Sequence, residues 1–147
     1  MLEKARLEKE TKGAINWIKE YIEKTNAKGV VVGNSGGKDS ATVIAMATKA
    51  LGKEKVLSVS MPCNSIKADF EDAKLVAETF GVRFIKVELS STYRELENSI
   101  NNGLKEININ SISEEASVNI KPRLRMTTLY GIAQTIRIFS NRYRKSL

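Results

Sequence analysis

Residues 29–51 read GVVVGNSGGKDSATVIAMATKAL, and the order of residue types along them decides the fold class. Val30, Val31 and Val32 are a β-branched run of the kind that packs well in a buried strand, predicted to end at Gly33 or Asn34. After Asp39 the apolar residues Val43, Ile44, Ala47, Ala50 and Leu51 recur every three or four positions, and Gly52 follows as a stop signal. That pattern predicts a helix. Between the two lies Gly33-Asn34-Ser35-Gly36-Gly37-Lys38-Asp39-Ser40, whose adjacent glycines permit positive backbone angles and close approach of main-chain N–H groups to a ligand. Strand, glycine turn and helix N-terminus together form a phosphate cradle, because orphan amides and the positive end of the helix dipole act on one volume.

Spacing excludes the two common cradles. A Walker loop needs glycine where Val32 stands and serine or threonine where Asp39 stands. The dinucleotide fingerprint needs glycines in a one-three-six pattern, which Gly33, Gly36 and Gly37 do not make. The bland alternative is a helix-capping turn, with Asp39 or Ser35 as the cap.

At 147 residues the chain is expected to be one domain, residues 1–147, with ordinary hydrophobic (41%) and charged (28%) content. No apolar run approaches a membrane span and residues 1–11 are too charged for a signal peptide, so a cytoplasmic setting with no membrane partner is expected. The single Cys63 excludes an internal disulfide or a cysteine zinc cluster, and it is read as structural. The absence of histidine excludes a Ser-His-Asp triad, His acid or base chemistry and imidazole metal ligation. No catalytic side chain is assigned; chemistry here rests on positioning and electrostatics. The net charge of +7 suits nucleotides, pyrophosphate or RNA equally.

Elsewhere, residues 2–24 carry an amphipathic pattern predicting a helix packed on the sheet, with Trp17 and Tyr21 read as core. Residues 56–61 (VLSVSM) predict a second strand stopped by Pro62, residues 69–80 a helix capped by Asp69, and residues 83–89 (RFIKVEL) a third strand. A further helix is predicted over residues 91–104 with Tyr93, Leu96 and Ile100 inward, then an irregular connector over 105–118. A last helix is predicted to begin with Pro122 in its first turn and to run to about residue 140, Met126, Leu129, Ile132, Ala133, Ile136 and Phe139 marking its period. Residues 141–147 form a basic, frayed tail in this reading. Alternating strands and helices give an α/β fold with a parallel sheet and right-handed crossovers, whose ligands bind beyond the carboxyl ends of the strands.

Ser35-Gly36-Gly37-Lys38-Asp39-Ser40 resembles the Ser-Gly-Gly-x-Asp-Ser pyrophosphate loop of the ATP pyrophosphatases. That resemblance implies the adenine nucleotide alpha-hydrolase-like fold, a Rossmann-type three-layer arrangement with helices on both faces of the sheet. It implies ATP bound along Gly33, Asn34, Ser35, Gly36, Gly37, Lys38, Asp39 and Ser40, with Asp39 holding Mg2+. Lys38 either neutralises phosphate charge or faces water. By the same resemblance, residues 62–69 line the adenosine pocket; an ordinary surface loop is the alternative.

A second stretch narrows the family. Asn119-Ile120-Lys121-Pro122-Arg123-Leu124-Arg125-Met126 resembles a segment of the ammonia-dependent NAD synthetases, as do Met61-Pro62 and Asp72-Ala73. The likeness runs from about residue 14 to residue 140 and implies Asn119, Arg123 and Arg125 as substrate-binding candidates. The two guanidiniums diverge on a helix, so one would grip a carboxylate or diphosphate while the other pairs across a dimer. The alternatives are a solvated basic face for the arginines and a helix cap for Asn119. The implied partners are deamido-NAD and ammonia, with a homodimer through helix 122–140; nucleic acid is not expected. The implied reaction joins the pyridine carboxylate to the α-phosphorus of ATP, releasing pyrophosphate, and ammonia then displaces AMP to form NAD.

Lys38 departs toward the tRNA-thiolating relatives, but one Cys63 does not supply the cysteine pairs those enzymes use. They stand as the alternative, together with a truncated, non-catalytic nucleotide-binding module. Leu147 precedes the family's next strand and its second magnesium-binding carboxylate, so this is the N-terminal part of the family fold and turnover by this chain alone is expected to be weak or absent. The family's 3-2-1-4-5 sheet order also implies that strand 30–32 becomes an edge, open to pairing with another chain.

Overall fold

The computed structural model describes residues 2–64 and 67–142. Along it run α1 (Leu2–Thr25), β1 (Val30–Gly33), α2 (Lys38–Leu51), β2 (Val56–Ser60), α3 (Lys67–Phe80), β3 (Arg83–Lys86), α4 (Ser90–Lys105) and α5 (Glu114–Arg142). The three strands are parallel in the order β1-β2-β3, with Val30 opposite Val56 and Ser58 opposite Phe84.

The α/β expectation holds, with helices on both faces. Val56 packs with Ile44, Ala47, Ala77 and Val82 on the side of α2 and α3, whereas Leu57 and Val59 pack on the other side with Tyr93 and with Leu124, Leu129 and Ile132 of α5. Every residue of β2 is buried, and Val56 and Val59 are fully so, each contributing about 1.5–3 kcal/mol by leaving water. Val30–Val32 are only half-buried, because β1 has a single strand neighbour among the described residues.

Several boundaries differ from expectation, each for a physical reason. β3 stops at Lys86 rather than residue 89, and β2 at Ser60 rather than Met61. Val87 still donates to the Ser60 carbonyl and Leu89 to that of Pro62, both at 2.8 Å, but Pro62 has no N–H to return and the ladder cannot continue. α3 includes Lys67, so Asp69 sits inside its first turn, where its charge favours the helix dipole, rather than at the cap. α5 starts at Glu114, so residues 114–118 are helical rather than connector and Pro122 lies within the helix, not in its first turn. The Ser113 hydroxyl accepts from the Ala116 amide at 3.2 Å, an N-cap followed by Glu114 and Glu115 that outweighs the proline as a start signal. The i−4 carbonyl that Pro122 leaves unpaired belongs to Val118, an exposed residue beside water.

The aromatic pair of α1 is not core. Trp17 is 64% and Tyr21 53% exposed, and their rings stack on each other with centroids 5.3 Å apart. α1 packs along α2 rather than on the sheet, turning Ile15, Ile18 and Ile22 inward and leaving the neighbouring stripe outside. Similarly, Tyr93 is buried and Ile100 half-buried on α4, while Leu96 lies at the surface; on α5 Leu129, Ile132 and Ile136 face inward but Met126 and Ala133 are exposed. The Phe139 side chain and the tail beyond residue 142 fall outside the described residues.

Candidate functional site

The site forms where β1 and β2 end. A cleft of about 450 Å³ opens there, floored by Gly33, Asn34, Ser35, Ser60, Met61 and Pro62, and walled by Asp69 and Phe70 of α3 and by Pro122, Arg125, Met126 and Leu129 of α5. Of the segment after β2 expected to line a pocket, Pro62 and Asp69 border this cleft.

The loop from Asn34 to Ser40 is built by its own polar side chains. Only one of its two adjacent glycines uses a positive angle: Gly36 has φ +81, while Gly37 is extended at φ −80 and ψ 164 and serves as the N-cap of α2. A Cβ at Gly36 would lie 2.7 Å from Asp72 Cβ and 2.9 Å from the Asp69 carbonyl oxygen, so the loop backbone presses on α3 as no other residue could. Neither Asp39 nor Ser35 is the N-cap: Gly37 holds that position, and no side-chain cap bond reaches the first turn of α2. A glycine cap has no side chain to offer the first amides of α2, and helix amides without such a partner are the arrangement that receives an anion.

Around this turn the Gly36 amide donates to Asn34 Oδ1 at 2.9 Å, and the Gly37 amide to Ser35 Oγ at 3.3 Å. The Ser40 hydroxyl donates to the Gly37 carbonyl at 2.9 Å and lies 3.3 Å from Ser35 Oγ. Ser35 is exposed and Ser40 half-buried, so both hydroxyls sit at the loop surface. Lys38 and Asp39 are exposed in the first turn of α2, and the Asp39 carboxylate favours the helix dipole there.

The two arginines of α5 separate. Arg125 lines the cleft, its Nε donating to the Met61 carbonyl at 3.1 Å, which anchors the guanidinium at the mouth of β2. Arg123 is exposed and bonds the Asn119 carbonyl of its own helix at 2.7 Å; Asn119 is exposed as well. The fold brings Arg125 to the loop and leaves Arg123 and Asn119 on the outer side of α5.

Among the described residues no group of three or more His, Cys, Asp or Glu side chains converges. A hard cation at this loop would take one carboxylate from the protein and complete its shell with phosphate oxygens and water, a usual arrangement for Mg2+. Cys63 is buried with its thiol 3.9 Å from the Leu89 carbonyl, as a structural residue would be.

Sequence reasoning missed Phe70, Met126 and Leu129 as cleft walls, and missed the buried Ser58 beneath the loop. Ser58 and Ser60 interrupt an apolar strand, and that interruption was the available signal.

Comparison with known proteins finds relatives over most of the chain. The NH(3)-dependent NAD(+) synthetase of Carboxydothermus hydrogenoformans is 42% identical over 123 residues, covering 84% of this chain and 49% of the relative. That of Finegoldia magna is 45% identical over 118 residues, covering 80% and 45%. Among solved structures, the NH3-dependent NAD synthetase from Campylobacter jejuni, in complex with the nitrate ion, superposes with TM-score 0.76 at 27% identity, covering 88% of this chain and 53% of that one. The glutamine-dependent NAD+ synthetase from Acinetobacter baumannii, in complex with ADP, gives 0.77 at 29% identity, covering 85% and 23%. The chain spans about half the length of these curated relatives. A family model described as NAD synthase matches residues 10–139, and the chain therefore belongs to the NAD synthase family.

Proposed function

We propose that the chain binds ATP with Mg2+ at the Ser35 to Ser40 loop and works in the ATP-dependent amidation of deamido-NAD by ammonia, in the cytoplasm. The observation that carries this reading is the loop itself: Gly36 at positive φ is pressed against α3, so that Gly37 and the open N-terminus of α2 are presented beside a cleft holding an arginine. The names of the relatives, and the ADP bound to the Acinetobacter enzyme, support the nucleotide and the product.

In this reading the α2 amides and the Ser35 and Ser40 hydroxyls receive the β- and γ-phosphates, and Lys38 offsets charge from solvent. Asp39 would hold Mg2+, which supplies charge neutralisation on the departing pyrophosphate. Arg125, held by the Met61 carbonyl, faces a substrate carboxylate or phosphate in the cleft, where a positioned cation is worth more than in water. Asn119 and Arg123 belong to a second role, pairing across a homodimer through α5. The exposed stripe Val118, Met126 and Tyr130 on that helix supports such a contact. The chain acts as one unit over residues 1–147 in this proposal.

Calorimetric titration of ATP with Mg2+, followed by assay of pyrophosphate release with and without deamido-NAD, tests it. Binding plus release that depends on deamido-NAD is expected if the chain carries the full reaction. ATP binding without release reduces the function to nucleotide binding, and absence of ATP binding overturns the proposal.

A further inference from the structure

Asn34 opens the loop that the proposed function assigns to ATP, yet it is 4% exposed and its side chain is turned inward. Nδ2 donates to Ser58 Oγ at 2.9 Å and to the Ala73 carbonyl at 2.8 Å. Oδ1 accepts from the Gly36 amide at 2.9 Å and lies 3.4 Å from the Ser40 hydroxyl, whose proton points to the nearer Gly37 carbonyl. Phosphate oxygens accept hydrogen bonds, so only the two carboxamide donors could serve one, and both are used inside the protein. None is left for a phosphate. The Asn34 amide in turn donates to the Val59 carbonyl at 2.8 Å, extending the β1-β2 ladder by one step.

We infer that Asn34 is a positioning residue for the diphosphate loop rather than a nucleotide ligand. One planar group joins four places: β2 through Ser58, α3 through Ala73, the loop apex through Gly36 and the first turn of α2 through Ser40. These contacts fix the plane of the peptide entering Gly36, the residue with positive φ, and press that turn against α3, where a Cβ would find the Ala73 nitrogen at 3.0 Å. The open amides of α2 follow directly after it. Without the clamp the Gly36 amide loses its partner and the Ala73 carbonyl keeps only its helical bond, and no other hydrogen bond among the described contacts ties the apex of the turn to α3. Ser58 sits under the loop for the same purpose, fully buried in the central strand with Asn34 as its partner.

The inference rests on the nucleotide reading above for its functional consequence, but its physical content does not, and the test separates them. Asn34→Leu removes both donors and the acceptor while keeping the number and branching of the side-chain heavy atoms. With the full chain, ATP with Mg2+ and AMP are titrated calorimetrically, the thermal midpoint is measured, and amide exchange of Gly36 and Val59 is followed without nucleotide. In Asn34→Leu, Gly36 is expected to exchange at least about tenfold faster while Val59 changes little, since a single buried hydrogen bond is lost. ATP affinity should fall about 10-fold to 100-fold and AMP affinity less than about twofold, because AMP lacks the β- and γ-phosphates. Equal loss for ATP and AMP, in step with a lowered midpoint, would mean a merely structural residue and overturn the inference. So would unchanged Gly36 exchange. Should the unsubstituted chain bind no ATP, the nucleotide reading fails, and faster Gly36 exchange in the variant still upholds the clamp. If Asn34→Leu does not fold, Ser58→Ala, which removes one of the four contacts, takes its place with the same ordering of effects at reduced size.

Discussion

Replacing Gly36 by alanine should be far more damaging than the same change one residue later. At Gly36 two costs add. The positive φ of +81 places an L side chain in the left-handed region, at about 1–2 kcal/mol. The new Cβ would also lie 2.7 Å from Asp72 Cβ, 2.9 Å from the Asp69 oxygen and 3.0 Å from the Ala73 nitrogen. Two of these atoms are α3 backbone, which cannot step aside as a flexible side chain would, and overpacking of this kind costs about 1–3 kcal/mol. The sum is about 2–5 kcal/mol, reduced only if the loop lifts off α3. At Gly37, by contrast, φ is −80 and the close atom is the Ser35 hydroxyl oxygen at 3.3 Å, so Gly37→Ala should cost at most about 1 kcal/mol, chiefly because alanine is a poorer N-cap. Urea unfolding followed by circular dichroism reads the difference. With a slope of about 2 kcal/mol per molar, Gly36→Ala should lower the midpoint by about 1–2.5 M with little change in slope. Equal midpoints for the two variants, or a larger loss at Gly37, would refute the account of the turn.

Other expectations follow from single features. Glu88 Oε1 accepts from the Ser90 hydroxyl at 2.6 Å and the Ser90 amide at 3.1 Å. These bonds, first the hydroxyl and then the amide, outweigh slight desolvation and hold its carboxyl below the usual range, with Lys86 adding a smaller pull. A depressed folded-state pKa stabilises above the pKa of a free glutamate and is lost as pH falls through the folded value. Glu88→Gln should thus cost at most about 0.5 kcal/mol at neutral pH, the side chain being half exposed, and the two unfolding curves should converge in acid. Trp17, the sole tryptophan, should emit as a solvent-exposed indole open to iodide quenching, and Trp17→Ala should cost under about 1 kcal/mol against the 3–5 of a buried site. Tyr93→Phe, which severs the buried hydroxyl from Glu97 and Ser117 where α4 meets α5, should cost about 1–2 kcal/mol by denaturant titration.

Much of the architecture could be read from the chain because its causes are local. The Val30–Val32 run, the turn glycines and the apolar period from Val43 to Leu51 each state their conformation within a dozen residues, and β1 and α2 appear where that pattern puts them. Pro62 likewise announced the end of β2, since a missing N–H ends a ladder in any context. Local signals failed where two competed. Pro122 outshone Ser113 as a helix start, although only the serine makes the capping bond.

Relations between distant residues were another matter. Trp17 and Ile18 are equally apolar on paper, and which of them is buried depends on α1 lying against α2. The pattern that marked Arg123 and Arg125 as a pair could not rank them, because only the approach of α5 to β2 gives Arg125 the Met61 carbonyl, 64 residues away. Asn34 looked like one more loop residue facing a ligand. Its carboxamide instead reaches Ser58 and Ala73, 24 and 39 residues distant, and no periodicity or spacing encodes a partner at that range. Backbone conformation follows from neighbours in the chain, whereas the pairing of a polar group is chosen by whatever folding brings within 3 Å of it.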